Sequence, residues 1–313
     1  MSLSTRFGGP KWTAALFLLL AAFWGTSFVA IEVGLHTVPP LYFAGLRYAL
    51  AGVVVLGYAA VTTSRWRPSG REEWLSISVM AVLVIAVYHG LLYVGELHVS
   101  GPVAAVVISL TPVLTAGFAT LILPEDGIDA VGALGLGLGV AGVAVVAGFD
   151  PTNLASGTTI GVLLVLLGAV SFALGGVLTR PLSTDLPMES TTGWAMGLGG
   201  FLLLAGAVAR GEPVGNVAWT ETALLSFAYL TVVSAILGFL IYFTLMERVG
   251  PTQLNLVGYL EPVVAALAGW ALLGQGVDAA TISGFATIFA GFALVKRRAL
   301  YDVAMRTTAA VTS

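Results

Sequence analysis

Two residues carry full charge inside apolar stretches. Glu261 precedes Pro262 in the run Asn255-Leu256-Val257-Gly258-Tyr259-Leu260-Glu261-Pro262, and Arg47 follows Pro39-Pro40 in an earlier run. An ionised group at the centre of a bilayer costs a few kcal/mol on insertion scales, so such residues face a bundle interior or a wet cavity. Glu261 has two readings. It is a proton or substrate-ammonium site, or it is fixed, either in an ion pair or as an acid bonded to the carbonyl that Pro262 frees at Gly258. Counting about 1.5 Å per helical residue, Arg47 lies roughly 10 Å from one membrane face and Glu261 roughly 14 Å from the other, within reach of each other. His89 titrates near neutrality when unperturbed, so it is either a gating group or a hydrogen-bonded packing residue. Trp24, beside Gly25-Thr26-Ser27, sits well inside an apolar run, where its ring N–H needs a partner and a cavity is the simplest one.

The elements that position these groups are helices in a membrane. Hydrophobic residues make up 58% of the 313 and charged residues 9%, against roughly 25% charged in a soluble domain. Ten apolar runs are each long enough to cross about 30 Å of hydrocarbon, at roughly 13–31, 41–61, 74–94, 101–123, 130–148, 159–179, 187–208, 221–244, 252–273 and 279–295. The first run is too long for a cleaved signal peptide and lacks an Ala-x-Ala exit, so it is read as a span. With the N-terminus inside, Arg6, Lys11, Arg65, Arg67, Arg71, Arg180, Arg248, Lys296, Arg297, Arg298 and Arg306 fall on the cytoplasmic side, and only Arg210 falls outside. The positive-inside rule then places both termini in the cytoplasm of a multi-pass protein of the cell membrane. The sequence contains no cysteine, which excludes disulfides and thiolate chemistry.

The chain also matches itself. Pro40 falls on Pro187 in the same register that sets Gly52 on Gly199, and Tyr93 falls on Tyr242 in the register that sets Gly101-Pro102 on Gly250-Pro251. Thr111-Pro112 then meets Glu261-Pro262, and Asp129, Gly135 and Gly142 meet Asp278, Gly284 and Gly291. These matches predict an all-α membrane protein of ten transmembrane helices in two five-helix halves, 1–150 and 151–300, with a cytoplasmic tail at 301–313. Five is odd, so the second half enters from the opposite side, giving an inverted repeat whose halves can expose a central site to each side in turn. Pro112 and Pro262 mark its two broken helices.

Polarity is shared unevenly. The fifth run is free of side-chain hydrogen-bonding groups and rich in glycine, as a packing strut would be. Trp24, Thr26, Ser27, His89, Thr111, Ser171, Ser234, Asn255 and Tyr259 lie on other runs and are the candidate lining of a path. For any one hydroxyl the plainer reading is a bond to its own helix carbonyl. Tyr93 and Tyr242 suit an interfacial aromatic belt, and their equivalence keeps them as gate candidates. Helical phase sets Asn255 and Tyr259 on one face and Glu261 on another, so one face serves the path and the other an interhelix contact.

This pattern resembles the drug/metabolite transporter superfamily, and within it the EamA-type ten-helix transporters. The likeness rests on Trp24-Gly25-Thr26-Ser27-Phe28, Pro40 with Arg47, Tyr93 leading to Gly101-Pro102, Thr111-Pro112, and Glu261-Pro262 followed by Leu273-Gly274-Gln275. Many relatives carry Gly-Glu where this chain has Gly274-Gln275; the first half has Pro124-Glu125. The resemblance implies a central cavity between the halves and export of small metabolites, often amino acids or amphiphilic compounds. The expected partners are a small-molecule substrate, the lipid bilayer and protons as the candidate coupling ion, with no nucleic acid and no cofactor. The glycine faces suit internal packing or a homo-oligomer equally. The rival readings are a non-transporting scaffold or receptor and an intramembrane enzyme. The latter needs a nucleophile with a base, paired acids or a metal cluster, and His36, His89 and His98 have no ligand spacing.

Overall fold

The computed structural model describes residues 9–123, 129–147, 156–182, 185–254 and 256–297, and these are helical with no strand among them. In chain order the helices are α1 (Pro10–Leu35), α2 (Pro40–Thr62), α3 (Arg71–Gly95), α4 (Gly101–Ile122), α5 (Ala130–Val146), α6 (Gly157–Leu178), α7 (Met188–Ala209), α8 (Glu221–Gly250), α9 (Val257–Leu273) and α10 (Ala279–Val295). Seven are long and apolar enough to cross a membrane, while α5, α9 and α10 are apolar helices of 17 residues each. Lipid tails are as apolar as leucine, so close backbone approach has to hold the helices together.

Glycine provides that approach. A Cβ on Gly135 would stand 2.5 Å from the Gly291 carbonyl, and one on Gly291 the same distance from the Gly135 carbonyl. Gly142 and Gly284 repeat the reciprocal contact at 2.7 Å. The α5–α10 strut is thus internal, and the glycines that suited an oligomer equally well are occupied within one chain. Helices α2 and α7 cross in the same way, with a Cβ on Gly200 falling 2.4 Å from the Ala49 nitrogen and one on Gly52 falling 2.5 Å from the Gly197 nitrogen. Here the structure corrects the sequence register by one residue. Pro39 and Pro187 are the residues that precede α2 and α7, and the contacts set Gly45 against Gly193 and Gly52 against Gly200 as equivalents.

Helix ends are matched as well. Asp129 and Asp278 open α5 and α10 by accepting the backbone N–H of Gly132 at 3.0 Å and of Thr281 at 2.7 Å. The N-terminus of α2 lacks a local cap and is served instead by Glu212, which accepts the N–H groups of Leu41 at 3.2 Å and Tyr42 at 2.9 Å.

Both α3 and α8 widen in mid-course, at Met80–Val87 and Tyr229–Leu237, into turns whose N–H groups reach the carbonyl five residues back. Such turns leave carbonyls badly placed for their own helix, and side chains from elsewhere take them up. Ser171 on α6 donates to the Leu83 carbonyl at 2.8 Å, and the Trp24 indole on α1 donates to the Ser234 carbonyl at 3.2 Å. Each bond joins helices far apart in sequence, α6 to α3 and α1 to α8.

The two proline sites differ. In α4 the helix is interrupted by a turn at Ser109–Leu110 and Pro112 lies in the first turn after it, where no N–H is missed. Pro262 lies inside α9, which stays helical around it.

Candidate functional site

The central polar cluster is built from α2 and α3. Arg47, 3% exposed, donates from Nη2 to the Tyr48 hydroxyl at 2.5 Å, and that hydroxyl meets His89 Nε2 at 2.5 Å. His89 Nδ1 lies 3.0 Å from the Ile85 carbonyl in the wide segment. A carbonyl only accepts, so Nδ1 carries the proton, Nε2 is the lone pair that receives the Tyr48 O–H, and the Tyr48 oxygen receives Arg47. Both ring nitrogens of the imidazole are therefore bonded. Of the two readings for His89, the geometry matches the hydrogen-bonded packing residue.

Arg47 is not fully bonded. Its Nε and Nη1 are buried without a partner, as is the Tyr93 hydroxyl beside it. The guanidinium lies 4.3 Å from the Tyr48 ring centre and 5.6 Å from that of Tyr93. Among the described residues no ion pair joins Arg47 to Glu261, so of the alternatives for Glu261 the ion pair is absent here: the guanidinium rests on aromatic faces, which hold it without neutralising it. Glu261 is buried too and has no side-chain hydrogen bond among the described residues. Tyr88, next to His89, stands within electrostatic range of both Arg47 and Glu261.

Glu261 reaches this region through Gly25. A Cβ on Gly25 would fall 2.8 Å from the Glu261 carbonyl and 2.6 Å from Val264 Cβ, so glycine at this position lets α1 and α9 cross at the acid. The two faces of α9 are thereby sorted. Tyr259 packs on α10, its ring 4.1 Å from Phe292 and 5.6 Å from Phe289, and its hydroxyl is buried without a partner. Tyr259 belongs to the interhelix face and not to the cavity; Asn255, Pro124 and Glu125 lie outside the described residues.

Trp24 is also corrected. Its N–H is met by the Ser234 carbonyl, and its ring packs on Phe239 at 5.6 Å and Tyr242 at 5.7 Å, so no cavity is needed to explain it. Thr26 bonds Tyr229 and the Ala22 carbonyl. Ser27 and Thr111 bond carbonyls of their own helices, Trp24 at 2.6 Å and Ile108 at 2.7 Å, which is the plainer reading. Tyr93 is fully buried beside Phe43, so its ring does not face lipid as a belt residue would. The expected lining thus divides into the cluster around Arg47, His89 and Tyr93, and an α1–α8 seam of Trp24, Thr26, Tyr242 and the Ser234 backbone.

The EamA-like transporter family model matches this chain twice, over residues 11–148 and 159–297. The chain belongs to the EamA-like transporter family. It is 28% identical to the uncharacterized transporter YvbV of Bacillus subtilis, over 91% of this chain and 92% of that one. It is equally similar to the uncharacterized inner membrane transporter YedA of Escherichia coli, over 83% and 82%. A WAT1-related chloroplastic protein of Arabidopsis thaliana is 28% identical over 87% of this chain, which spans only 66% of that protein's length. A solved crystal structure shares the fold at TM-score 0.64 and 19% identity, covering 94% of this chain and 99% of that one.

For an EamA-like transporter, the residues that sequence reasoning missed are those that complete the cluster. Tyr48 and Tyr88 adjoin Arg47 and His89 in sequence, and that adjacency inside apolar runs was the available signal. Glu32, Glu96 and Gln275 sit at run ends, where charge needs no explanation, and only the fold brings them together. Glu32 accepts the Gly101 N–H at 2.8 Å and the Gln275 amide at 2.5 Å. The α9–α10 loop, where a carboxylate would repel Glu32, instead supplies a donor.

Proposed function

We propose that this membrane transporter is a secondary carrier that exports a small metabolite bearing a carboxylate, an amino acid or a close relative, by alternating access between two inverted five-helix halves. The observation that carries this reading is Arg47: a buried guanidinium with two unfilled nitrogens, beside an unfilled Tyr93 hydroxyl. Buried N–H donors left unfilled are costly, and a substrate carboxylate accepting from Arg47 and Tyr93 removes that cost. Glu261 across Tyr88 provides the complementary charge for a substrate ammonium or a coupling proton. The reciprocal glycine contacts, matched aspartate caps and matched wide turns support the two-half architecture, and the placement of Lys and Arg supports an even number of spans with both ends cytoplasmic.

The test is counterflow of radiolabelled amino acids in proteoliposomes. Arg47→Lys keeps the charge but loses the planar donor set, and transport falls at least tenfold while a substrate lacking the carboxylate is unaffected. Glu261→Gln abolishes the pH dependence of flux if protons couple there. Flux indifferent to both substitutions overturns the assignment, and exchange of no solute at all favours the scaffold reading.

A further inference from the structure

An open groove of about 330 Å³ runs between α1 and α8, walled by Leu16, Leu19 and Phe23 on one side and by Leu237, Leu240 and Ile241 on the other. Among the described residues Thr244 is its one polar lining residue, and the Thr244 hydroxyl is taken up by the Leu240 carbonyl at 2.9 Å. The groove therefore offers an occupant apolar surface and no hydrogen bond. Both walls belong to helices long and apolar enough to cross a membrane.

One end of the groove is charged. Phe17 and Leu20 of α1 cluster with Leu245, Met246 and Val249 of α8, so the start of α1 and the end of α8 lie at the same membrane face. About one helical turn beyond the apolar walls, α1 presents Lys11 and Trp12 and α8 presents Arg248, all three exposed. Lys11 has no ion pair among the described residues. Glu247 precedes Arg248, so these four residues leave the mouth one positive charge in excess. The depth is informative as well. Trp12 to Phe23 is about 16 Å of helix, close to half of the roughly 30 Å hydrocarbon core. A partner helix would use the full depth, whereas an acyl chain of one leaflet uses this half.

We propose that this groove holds one acyl chain of an anionic phospholipid from the leaflet at that face, with the phosphodiester at Lys11 and Arg248 and the Trp12 ring at headgroup level. The bound chain lies against the outside of the α1–α8 seam, where Tyr229 donates to the Phe23 carbonyl at 3.3 Å and Trp24 to the Ser234 carbonyl at 3.2 Å. Occupancy braces those contacts. The proposal requires only that α1 and α8 cross the membrane, and it rests on neither the carrier reading nor the Arg47 donor set.

The experiment is native mass spectrometry of the full chain in detergent, titrated with phosphatidylglycerol or with phosphatidylcholine of the same acyl chains, with thermal melting in the same mixtures. Saturable retention of one phosphatidylglycerol, at least fivefold tighter than phosphatidylcholine and accompanied by a rise in melting temperature, is the expected result. Lys11→Gln combined with Arg248→Gln reduces that preference to within twofold. Ile241→Trp, which fills the groove, lowers retention of both lipids at least tenfold; Leu19→Trp, at a position 42% exposed, serves if the first variant does not fold. Glycerol phosphate, a headgroup without a chain, leaves the melting temperature unchanged. Equal retention of the two lipids by native protein, native retention by a folded groove-filled variant, a preference unchanged by the double substitution, or an equal melting shift with glycerol phosphate overturns the proposal. Loss of a dimer instead of lipid on filling the groove also overturns it, and assigns the groove to a second copy of the chain.

Discussion

The two stretches that the family model matches, 11–148 and 159–297, agree in how they pack and differ in where they hold charge. Both have an aspartate cap, a pair of glycines pressed on a backbone carbonyl, and a third helix that widens in mid-course. The first places Arg47, Tyr48 and His89 at the centre. In the matched positions of the second lie Ala195, Met196 and Gly238, and its buried acid is on α9 instead. Packing against a counterpart constrains both partners at once, because each glycine is the other's clearance. A buried charge needs only one copy, so chemistry can diverge while the frame cannot.

The largest effect comes from breaking the shared part. Gly200→Val drives a side chain into the Ala49 backbone, and overpacking of this kind costs up to about 3 kcal/mol. Thermal melting in detergent is expected to show an unfolded or strongly destabilised protein, whereas Gly137→Ala, with nothing within 4 Å, leaves the melting temperature within error. Melting at the native temperature for Gly200→Val would mean that the close α2–α7 contact does not stabilise the fold.

The unshared part is sharpened by Tyr48→Phe, which strands His89 Nε2 and another Arg47 nitrogen and costs about 2 kcal/mol. Its counterpart Met196→Leu, a near volume-conserving change, costs less than about 1.5 kcal/mol. Equal losses in the two variants would show that the cluster is ordinary packing.

The smallest effect is at the caps. Asp278→Ala removes an N-cap worth about 1 kcal/mol. Hydrogen bonds from the Thr281 side chain and backbone hold the Asp278 carboxyl below its ordinary value. Its contribution is therefore present above the unfolded carboxyl pKa of about 4 and is lost as pH falls through the lowered value. Melting curves of native and Asp278→Ala protein converge in acid and separate at neutral pH if the cap acts this way.

Much of this frame was legible in the sequence, because membrane spans are long apolar runs and duplicated contacts leave duplicated glycines. The phase of α9 was legible too: Tyr259 and Glu261 do face different neighbours. What stayed hidden was the choice of partner. Trp24 asked for an acceptor, and the acceptor was a backbone carbonyl released by a wide turn that leaves no mark among Tyr229–Leu237. Arg47 and Glu261 were at compatible depths, but depth does not give azimuth, and aromatic rings hold the guanidinium instead.

The three short helices are neighbours: α5 packs on α10, and α10 receives Tyr259 of α9. Seventeen residues rise about 25 Å, several Å less than the roughly 30 Å hydrocarbon core of an average bilayer. On the ten-span reading the protein therefore presents one low flank to the lipid. Acyl chains along that flank must compress, at fractions of a kcal/mol per Å of mismatch. The elastic cost is one-sided, so bilayer thickness acts as a tilting load on the whole molecule, lightest in thin membranes.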